Sequence, residues 1–422
     1  MTHTVTHSTP ESLPALHVRP TRGWLNDPNG ITRHAGRWHV FFQHNPSRAR
    51  HAAIHWGHVS SPDLVSWTEH PVAFGPEPGS PDAGGSWSGC FVPGLDRPAV
   101  VYTGIVDSPG ESTVCLRWAE DDDLVTWSRP VVVATQPVEP WLAAMRDPYP
   151  FTWDGRRFAL LGAGTTDGTP LVLLFSCDDP LAWRYEGVWL DGRDPVATSV
   201  APAHIWECPQ LVALGGRHAL VVSLWEDHVL GDVVHLLGRL VGDAGGLPRF
   251  VPESGGLLDE GPDFYAPQVV PDADGPLLFG WVRQQDAPDE ATQDAVAGCL
   301  TLPRRLRLDG DQVVVQPDAG VAALVGPPVD LAPDDDIRLP PRVRVTLRAL
   351  DGAVGGELRG DACIVPLTVD DDGCEVWLDG EVAEVYRPGR VAATARCPGT
   401  AAWRLAVDRG RVEVSATRLR LP

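Results

Sequence analysis

Three carboxylate residues stand at even steps along the sequence. Asp27 lies in WLNDPNG, Asp147 in MRDPYPF and Glu207 in IWECPQL, so steps of 120 and 60 residues separate them. Carboxylates gathered at one site suit the cleavage of a glycosidic bond. One ionised group attacks the anomeric carbon, and one protonated group donates to the leaving oxygen. This chemistry requires a fold that brings the three positions together.

The residues around each carboxylate favour a division of roles. Glu207 lies between Trp206 and Cys208 in an apolar segment. Apolar surroundings and neighbouring negative charge both raise the pKa of a carboxyl group, so we expect Glu207 to be the proton donor. Asp27 lies beside Asn26 at a turn, which is a better setting for the ionised nucleophile.

Each motif taken alone also has an interpretation without chemistry. The sequence DPNG is typical of a tight turn, Arg-Asp-Pro of a local ion pair, and a Glu within a strand of a solvated face. The histidines His51, His55 and His58 lie close together, but no carboxylate or cysteine completes a ligand pattern. We therefore predict no metal site. The common spacing of the three carboxylates is what favours a catalytic role for them.

The charged residues are strongly one-sided. The 422 residues include 56 acidic and 34 basic side chains, a net charge of −22, and every basic residue is arginine. Without lysine there is no Schiff-base or lysine-nucleophile chemistry. The acidic balance argues against nucleic acid and anionic membranes as partners, because both select basic patches. A few arginines could still build a phosphate site.

The cysteines and the apolar runs bear on the cellular compartment. The eight cysteines form no C-x-x-C pair, so we predict free thiols and no zinc site. The N-terminal residues lack the apolar core of a signal peptide, and no stretch approaches 18 uninterrupted apolar residues. We expect a soluble cytoplasmic protein, whose oligomeric state the sequence does not indicate.

Short β-branched or aromatic runs, separated by Gly, Pro and Asp, dominate the chain. Segments such as RWHVFFQH, PAVVYTG and HALVVSLW are typical of strands, and helical periodicity is scarce. The sequence DLVSW at 63–67 returns as DLVTW at 123–127 and as DPLAW at 179–183. A strand-filled repeat of this length is typical of a β-propeller with one four-stranded sheet per blade.

The same step explains how distant carboxylates meet. Counting sixty residues onward from Asp27 gives positions 87, 147, 207 and 267, in or beside SWSGC, RDPYPF, WECPQL and DFYAP. Equivalent positions of propeller blades converge at one mouth of the central channel. We predict an all-β fold with an N-terminal tail over 1–16, a five-bladed β-propeller catalytic domain over 17–317, a linker over 318–341 and a small C-terminal β-sandwich over 342–422.

The motifs together resemble those of glycoside hydrolase family 32, the invertase, inulinase and levanase group. WLNDPNG is very similar to the signature of that family, and FFQHNP, IHWGHVSSPDLVSW, WSGC, RDPYPF, WECPQL, DFYAPQ and LTLPRRLRL follow in the order of the family's later motifs. The resemblance covers residues 17 to about 317. It implies a five-bladed propeller followed by a sandwich, action on β-fructosides and no cofactor.

The resemblance also implies roles for individual residues. Asp27 matches the nucleophile, Glu207 the general acid/base, and Asp147 the residue that stabilises the transition state through the fructose hydroxyls. The positions that match the lining or the border of the fructose subsite are Asn26, Gln43, Trp56, Ser88, Arg146, Trp24, Tyr265 and Trp281. Two positions depart from the family pattern: Gln210 stands where Asp is frequent, and Cys90 where Ser is frequent.

We therefore expect a retaining β-fructofuranosidase that releases terminal β-D-fructosyl units from sucrose or small fructo-oligosaccharides by double displacement. The alternatives are a fructosyltransferase with the same residues, an inverting arabinan- or xylan-type propeller hydrolase and a non-catalytic sugar-binding propeller. The sequence leaves open whether the substrate is sucrose, sucrose 6-phosphate, levan, inulin or an oligosaccharide. It also leaves open whether cleavage occurs at chain ends or internally.

Overall fold

Strands account for nearly all of the regular structure. The computed structural model of the protein describes residues 11–107, 112–284, 295–331, 336–407 and 412–422. Within those ranges the helices are the short α-helix α1 (Pro195–Val200) and one 3₁₀ helix (Ala319–Leu324). No helix in the same ranges is long and apolar enough to cross a membrane. The predicted all-β class is confirmed.

Five sheets follow one another along the chain, as β-branched and aromatic runs bounded by Gly, Pro and Asp turns favour. The first sheet contains β1 (Gly23–His34), β2 (Arg37–Asn45), β3 (His55–Ser61) and β4 (Thr68–Glu69), and the second contains β5 (Gly85–Phe91), β6 (Ala99–Ile105), β7 (Ser112–Trp118) and β8 (Val131–Thr135). The third contains β9 (Leu142–Trp153), β10 (Arg156–Thr165), β11 (Pro170–Ser176) and β12 (Arg184–Asp191).

The fourth and fifth sheets continue the pattern. The fourth contains β13 (Ile205–Leu214), β14 (Arg217–Glu226), β15 (Val229–Gly242) and β16 (Pro248–Leu257). The fifth contains β17 (Phe264–Val270), β18 (Leu277–Val282), β20 (Cys299–Leu300), β21 (Arg304–Asp309) and β22 (Gln312–Pro317), while β19 (Val296–Ala297) joins the first sheet. Neighbouring strands within each sheet are antiparallel except for the pair β1 and β19.

The first strands of the five sheets contact one another in cyclic order. β1 contacts β5, β5 contacts β9, β9 contacts β13, β13 contacts β17, and β17 contacts β1. The chain also returns to its start, because β19 pairs in parallel with β1, with Val296 opposite Gly23. Buried Val, Leu and aromatic side chains pack between the sheets. This arrangement brings distant parts of the sequence to one place.

Each of these five strands carries a one-residue bulge. Three steps along the first strand match two steps on its neighbour between Leu25 and Pro28, Ser86 and Gly89, Arg146 and Tyr149, Glu207 and Gln210, and Tyr265 and Gln268. A bulge takes side chains out of regular alternation and is frequent beside active sites. In three of the bulges the residue before proline has a positive φ, which is strained for a residue other than glycine: Asp147 at 60°, Cys208 at 47° and Ala266 at 43°.

Two further sheets form a second unit. One contains β23 (Val325–Pro328), β25 (Arg342–Ala349), β28 (Cys374–Asp379), β29 (Val382–Tyr386), β30 (Ala393–Arg396) and β32 (Val412–Leu419). The other contains β24 (Asp336–Arg338), β26 (Val354–Arg359), β27 (Ile364–Val369) and β31 (Arg404–Val407). Alternate residues of β25 and β27 are buried, and both sheets contribute to one core around Val345, Leu358 and Trp403.

The interval expected as a linker, 318–341, carries regular structure of its own. Asp318 caps the 3₁₀ helix by accepting a hydrogen bond from the N–H of Gly320 at 2.7 Å. β23 then pairs with β32, and β24 pairs with β31, so the interval joins both sheets of the second unit. Residues 332–335 of this interval and residues 1–10 of the expected tail lie outside the described residues.

The second unit contains a disulfide bond between Cys363 and Cys397, whose Cα atoms are 5.5 Å apart. The expectation that all cysteines are free thiols is therefore wrong for this pair. The two residues are 34 positions apart and lie next to β27 and β30, so only the strand arrangement brings them together. The other six cysteines are free and buried.

Buried charged groups tie the N-terminal segment to the second unit. The carboxylate of Asp379 accepts hydrogen bonds from the N–H groups of Ala15 and Leu16 at 2.8 and 2.6 Å. It also bonds to Nδ1 of His17 at 2.9 Å, and the other ring nitrogen of His17 lies 3.3 Å from Glu384. Because these side chains are almost unexposed, unpaired charges here would be costly.

Arg304 completes this buried network from the side of the five sheets. Its guanidinium donates to Asp259 at 2.8 Å and to the hydroxyl of Tyr386 at 3.0 Å. It lies 3.1 Å from Glu384, and the side chains of Arg304, Asp259 and Glu384 are at most 1% exposed. We refer to His17, Arg304, Asp259, Asp379 and Glu384 as the buried ion network.

Candidate active site

A cavity of about 430 Å³ lies where the bulges of the five first strands meet. Each of these strands contributes at least one residue to its wall, and the remainder come from β2, from β14 and β15 and their connecting turn, from β18 and from the segment after β2. The lining residues are Trp24, Asn26, Asp27, Gln43, His51, Trp87, Arg146, Asp147, Glu207, Trp225, His228, Leu230, Tyr265 and Trp281. The structure thus gathers nine of the eleven predicted site residues around one space.

Three N–H or O–H side chains donate hydrogen bonds to Asp27. Ser88 donates to its Oδ2 at 2.5 Å, and Gln43 donates to the same oxygen at 2.9 Å. Asn26 donates to Oδ1 at 3.1 Å. Asn26 is itself fixed, since the indole of Trp24 donates to its amide oxygen at 2.9 Å. The carboxylate therefore has one orientation, set by donors from β1, β2 and β5.

Asp147 lies in the bulge of β9 and is bound by its neighbours on both sides. Its N–H donates to the hydroxyl of Thr103 at 2.7 Å, and its Oδ2 accepts from the N–H of Cys208 at 2.9 Å. The thiol of Cys208 lies 3.6 Å from Asp147 Oδ2 and 3.7 Å from Asp27 Oδ2. A single buried sulfur thus separates two carboxylates that come from different sheets.

Glu207 has partners different from those of the two aspartates. Arg146 donates from Nη1 to its Oε1 at 2.9 Å, and the hydroxyl of Tyr265 donates to Oε2 at 2.8 Å. The side chain of Glu207 is 14% exposed. Arg146 in turn lies over the ring of Trp87, 5.8 Å from its centre. Both carboxylate oxygens of Glu207 are therefore oriented toward the cavity by fixed donors.

The pKa values of both aspartates are raised, which the sequence did not lead us to expect. Burial raises the pKa of Asp27 to about 6, against the hydrogen bond from Ser88 and together with the negative charge of Glu207. Burial and the charge of Glu207 also raise the pKa of Asp147. The physical reason is depth, because both aspartates are buried within the bulges.

Trp56 does not reach the cavity, and this part of the prediction is wrong. Its indole is 0% exposed and packs with Phe41, Phe74 and Tyr102 between the first two sheets. Its N–H donates to the carbonyl of Trp87 at 3.0 Å. Ser88 also does not line the cavity, but it contacts Asp27 from behind.

His51 lines the cavity five residues before Trp56, and the sequence had assigned it no role there. Burial lowers the pKa of His51, so the imidazole is neutral near pH 7. The ring lies 6.0 Å from the ring of Trp87, measured between centroids. It therefore offers the cavity a neutral polar group beside a flat aromatic surface.

Four further lining residues were missed. Trp87 is the position at which the sixty-residue step from Asp27 lands, so the spacing carried a signal for it. Trp225, His228 and Leu230 lie at the hairpin between β14 and β15, where no motif pointed to chemistry. Among the described residues, no group of three or more His, Cys, Asp or Glu side chains could hold a metal ion.

Comparison with known proteins gives the class of the chain. The model of the glycosyl hydrolases family 32 N-terminal domain matches residues 17–317. The chain therefore belongs to glycoside hydrolase family 32, as the motifs predicted.

The curated relatives include sucrose-6-phosphate hydrolases and a raffinose invertase. Sucrose-6-phosphate hydrolase from Bacillus subtilis is 35% identical over 317 residues, covering 72% of this chain and 64% of the relative. Raffinose invertase from Escherichia coli is 33% identical over 308 residues, covering 69% of this chain and 62% of the relative. The chain thus matches less than two thirds of the length of these relatives. Sucrose-6-phosphate hydrolase from Klebsiella pneumoniae is 30% identical over 418 residues, covering 95% of this chain and 85% of the relative.

Solved structures resemble the whole chain. A family 32 β-fructofuranosidase from Bombyx mori has a TM-score of 0.83 at 25% identity, with 98% of this chain and 95% of that chain covered. Fructan 1-exohydrolase IIa from Cichorium intybus has a TM-score of 0.79 at 20% identity, with 97% and 98% covered. The likeness to the second protein concerns the fold alone.

Proposed function

We propose that this protein is a retaining β-fructofuranosidase that releases terminal β-D-fructosyl units from sucrose and small fructo-oligosaccharides. The observation that carries the proposal is the meeting of Asp27 and Glu207 in one cavity, each held by its own set of donors. The names of relatives support it, since they include sucrose-6-phosphate hydrolases and a raffinose invertase. A second Bombyx mori β-fructofuranosidase structure is a mutant in complex with sucrose.

We infer that the five sheets are the blades of a five-bladed β-propeller over residues 17–317. Support comes from the cyclic contacts of the five first strands and from β19, which returns to the first sheet. We infer that residues 342–422 form a small β-sandwich, connected through 318–341. The common core of its two sheets supports this assignment.

In the first step, Asp27 attacks C2 of the terminal fructosyl unit. The bond from C2 to the glycosidic oxygen breaks, an ester bond forms to the Asp27 carboxylate, and the proton of Glu207 passes to the leaving oxygen. Oδ2 of Asp27 accepts hydrogen bonds from Ser88 and Gln43 and lies 3.7 Å from the thiol of Cys208, whereas Oδ1 accepts one, from Asn26. Oδ1 therefore keeps the more available lone pairs. We therefore assign the attack to Oδ1.

In the second step, water attacks C2 and gives its proton to Glu207. The ester bond breaks, fructose leaves with its original configuration, and the Asp27 carboxylate is restored. Asp147 accepts hydrogen bonds from fructose hydroxyls and stabilises the positive charge that develops on the sugar in both steps. Its Oδ2 is fixed for this task by the N–H of Cys208.

The proton must lie on Glu207 and not on Asp27 when the sugar is bound. Burial works against the ionised form of Asp27, because it raises the pKa of this carboxyl group to about 6. The reactive enzyme is therefore the form with Asp27 ionised. Activity consequently depends on pH through Asp27.

The test is a pair of variants assayed with sucrose and with a fructoside that has an activated leaving group. Asp27→Asn should abolish turnover of both substrates while the fold is kept. Glu207→Gln should lose on the order of 10²–10⁴-fold with sucrose and less with the activated fructoside, which needs no proton donor. Proton NMR should find the first-formed anomer with retained configuration.

Three outcomes contradict the proposal. Hydrolysis of sucrose by Asp27→Asn at the wild-type rate would show that Asp27 is not the nucleophile. A first product with inverted configuration would show that no covalent intermediate forms. Fructosyl oligosaccharides as the main product at high sucrose concentration would identify the protein as a fructosyltransferase instead. A variant at a remote exposed carboxylate of the third sheet, Asp178→Asn, serves as the matched control.

A further inference from the structure

A second cavity of about 540 Å³ adjoins the active-site cavity on the side of Glu207. The two cavities share Arg146 and Trp225 as lining residues. Arg146 is also the partner of Glu207, which protonates the leaving oxygen in the proposed mechanism. The second cavity therefore lies where the leaving group of the substrate extends, and we call it the leaving-group cavity.

Carboxylates dominate the charge around the active-site cavity and the leaving-group cavity. Among the described residues that line the two cavities, five are acidic, three of them in the active-site cavity and Asp167 and Asp227 in the leaving-group cavity. Arg146 is the one guanidinium in the same set, and the chain contains no lysine. Arg146 is already bound to Glu207 at 2.9 Å.

Two other basic side chains near the leaving-group cavity also face carboxylates. His204 lies 3.1 Å from Asp227 and 3.6 Å from Glu226. Arg193, at the rim, lies 3.2 Å from Asp167 and 3.6 Å from Asp191. A phosphate group is bound by guanidinium or ammonium groups and backbone N–H donors that are free to face it. Here Arg146, Arg193 and His204 each face a carboxylate instead.

We propose that this enzyme takes fructosides with uncharged leaving groups and discriminates against those with a phosphate on the leaving sugar. Sucrose 6-phosphate, with its phosphate on the glucose unit, would bring a dianion into the leaving-group cavity. Sucrose and raffinose bring only hydroxyl groups, which carboxylates and threonines can bind. This inference depends on the proposed function, and it separates this chain from relatives that are named sucrose-6-phosphate hydrolases.

The experiment compares kcat/KM for sucrose and for sucrose 6-phosphate with the full chain at low ionic strength. Sucrose should be favoured at least about 10-fold, because like charges disfavour association. The preference should narrow as salt is added, since Asp167 and Asp227 are exposed and their charges are screened. Equal or better turnover of sucrose 6-phosphate overturns the inference.

A binding measurement distinguishes failure of the proposed function from failure of this inference. If neither sugar is cleaved, the proposed hydrolase activity is wrong, and calorimetric titration with both sugars still decides the charge discrimination. Weaker binding of sucrose 6-phosphate supports the inference, and equal or tighter binding overturns it.

A double variant tests the residues themselves. Asp167→Asn with Asp227→Asn should narrow the preference by about 2- to 5-fold, the effect expected for a few exposed charges. Asp178→Asn, which alters an exposed carboxylate beside the third sheet that pairs with Arg156, should leave the preference unchanged. A double variant with an unaltered preference would show that these carboxylates do not set it.

Discussion

Ser88, from the second sheet, donates to Oδ2 of Asp27, from the first sheet, at 2.5 Å. The bond crosses between two units of the repeat and holds the carboxylate that burial makes less acidic. Burial raises the pKa of Asp27 to about 6, and the bond from Ser88 lowers it against that trend. The hydroxyl thus keeps the proposed nucleophile ionised near neutral pH.

The acid side of the pH profile should report this carboxylate. We expect kcat/KM for sucrose to fall as pH drops through about 6, because protonated Asp27 cannot attack. Ser88→Ala removes a bond that favours the ionised form, so the fall should move to higher pH by up to about one unit. Ser66→Ala, at an exposed turn of the first sheet, is the control. A profile that moves to lower pH in Ser88→Ala contradicts this role.

Asp27→Asn should make the protein more stable at neutral pH. The folded state holds the Asp27 proton more tightly than the unfolded state, so ionisation above the ordinary pKa of 3.8 costs stability, and the cost is complete above about 6. We expect a gain of up to about 3 kcal/mol at pH 7 and almost none at pH 4. Thermal unfolding at both pH values measures it.

Asp63→Asn is the matched contrast for that experiment. Hydrogen bonds from Ser66 and Val65 outweigh the effect of burial and lower the pKa of Asp63. Its ionised form therefore contributes stability above its ordinary pKa, and the variant should be less stable at pH 7. Equal behaviour of the two variants would refute the effect of burial on Asp27.

Variants at His51 and Trp56 should have different effects: the first should change substrate binding, and the second should change the stability of the fold. His51→Ala opens the wall of the active-site cavity and should raise KM for sucrose without lowering the melting temperature by more than a few degrees. Trp56→Phe removes an entirely buried indole and its bond to Trp87, at a cost on the order of 1–3 kcal/mol. Parallel kinetics and thermal unfolding distinguish them. A raised KM in Trp56→Phe with unchanged stability would show that Trp56 contacts the substrate after all.

The buried ion network should make the second unit sensitive to alkaline pH. Burial alone would lower the pKa of His17, but hydrogen bonds to Asp379 and Glu384 outweigh it and raise the pKa to about 9. The charged imidazole contributes stability that is complete below about 6.5 and is lost as pH rises through about 9. The melting temperature of wild type should therefore fall between pH 7 and 10 more steeply than that of His17→Gln. His34→Gln serves as the control, and equal slopes in wild type and His17→Gln would contradict the prediction.

Arg304→Met tests the same network at neutral pH. It leaves Asp259 and Glu384 as buried carboxylates without this guanidinium, and breaking such a pair costs about 3–5 kcal/mol. Chemical denaturation of the full chain measures the loss. Arg156→Met, an exposed pair on the third sheet, should change the stability little.

The sequence was most informative where chemistry sits in a contiguous motif. Asp27, Asp147 and Glu207 lie at sixty-residue steps, so their meeting could be expected from the period. Asn26 and Gln43 lie in motifs that resemble those of the family. Trp225 and His228 arrive on a hairpin whose residues carry no repeat signal. The backbone path of that hairpin, which the sequence does not encode locally, places them in the cavity.

The predictions from sequence were wrong where the outcome depends on the direction of a side chain or on which two cysteines meet. Trp56 stands in a motif beside the site, but strand alternation turns its ring between two sheets. Cys363 and Cys397 pair because β27 and β30 bring their ends together, which their spacing of 34 residues does not indicate. The relative depth of Asp27 and Glu207 likewise depends on the bulges and not on the neighbouring letters.

The repeated bulges make the site tolerant of one kind of sequence change and intolerant of another. A substitution such as Ala266→Ser keeps the extra residue, so every later side chain of the strand stays on its own side. Deleting one bulge residue, such as Cys208, would restore regular alternation between Glu207 and Gln210 and remove the bulge that forms this part of the cavity wall. We therefore expect the wall of this cavity to accept substitutions of side chains but not insertions or deletions in the first strands of the five sheets.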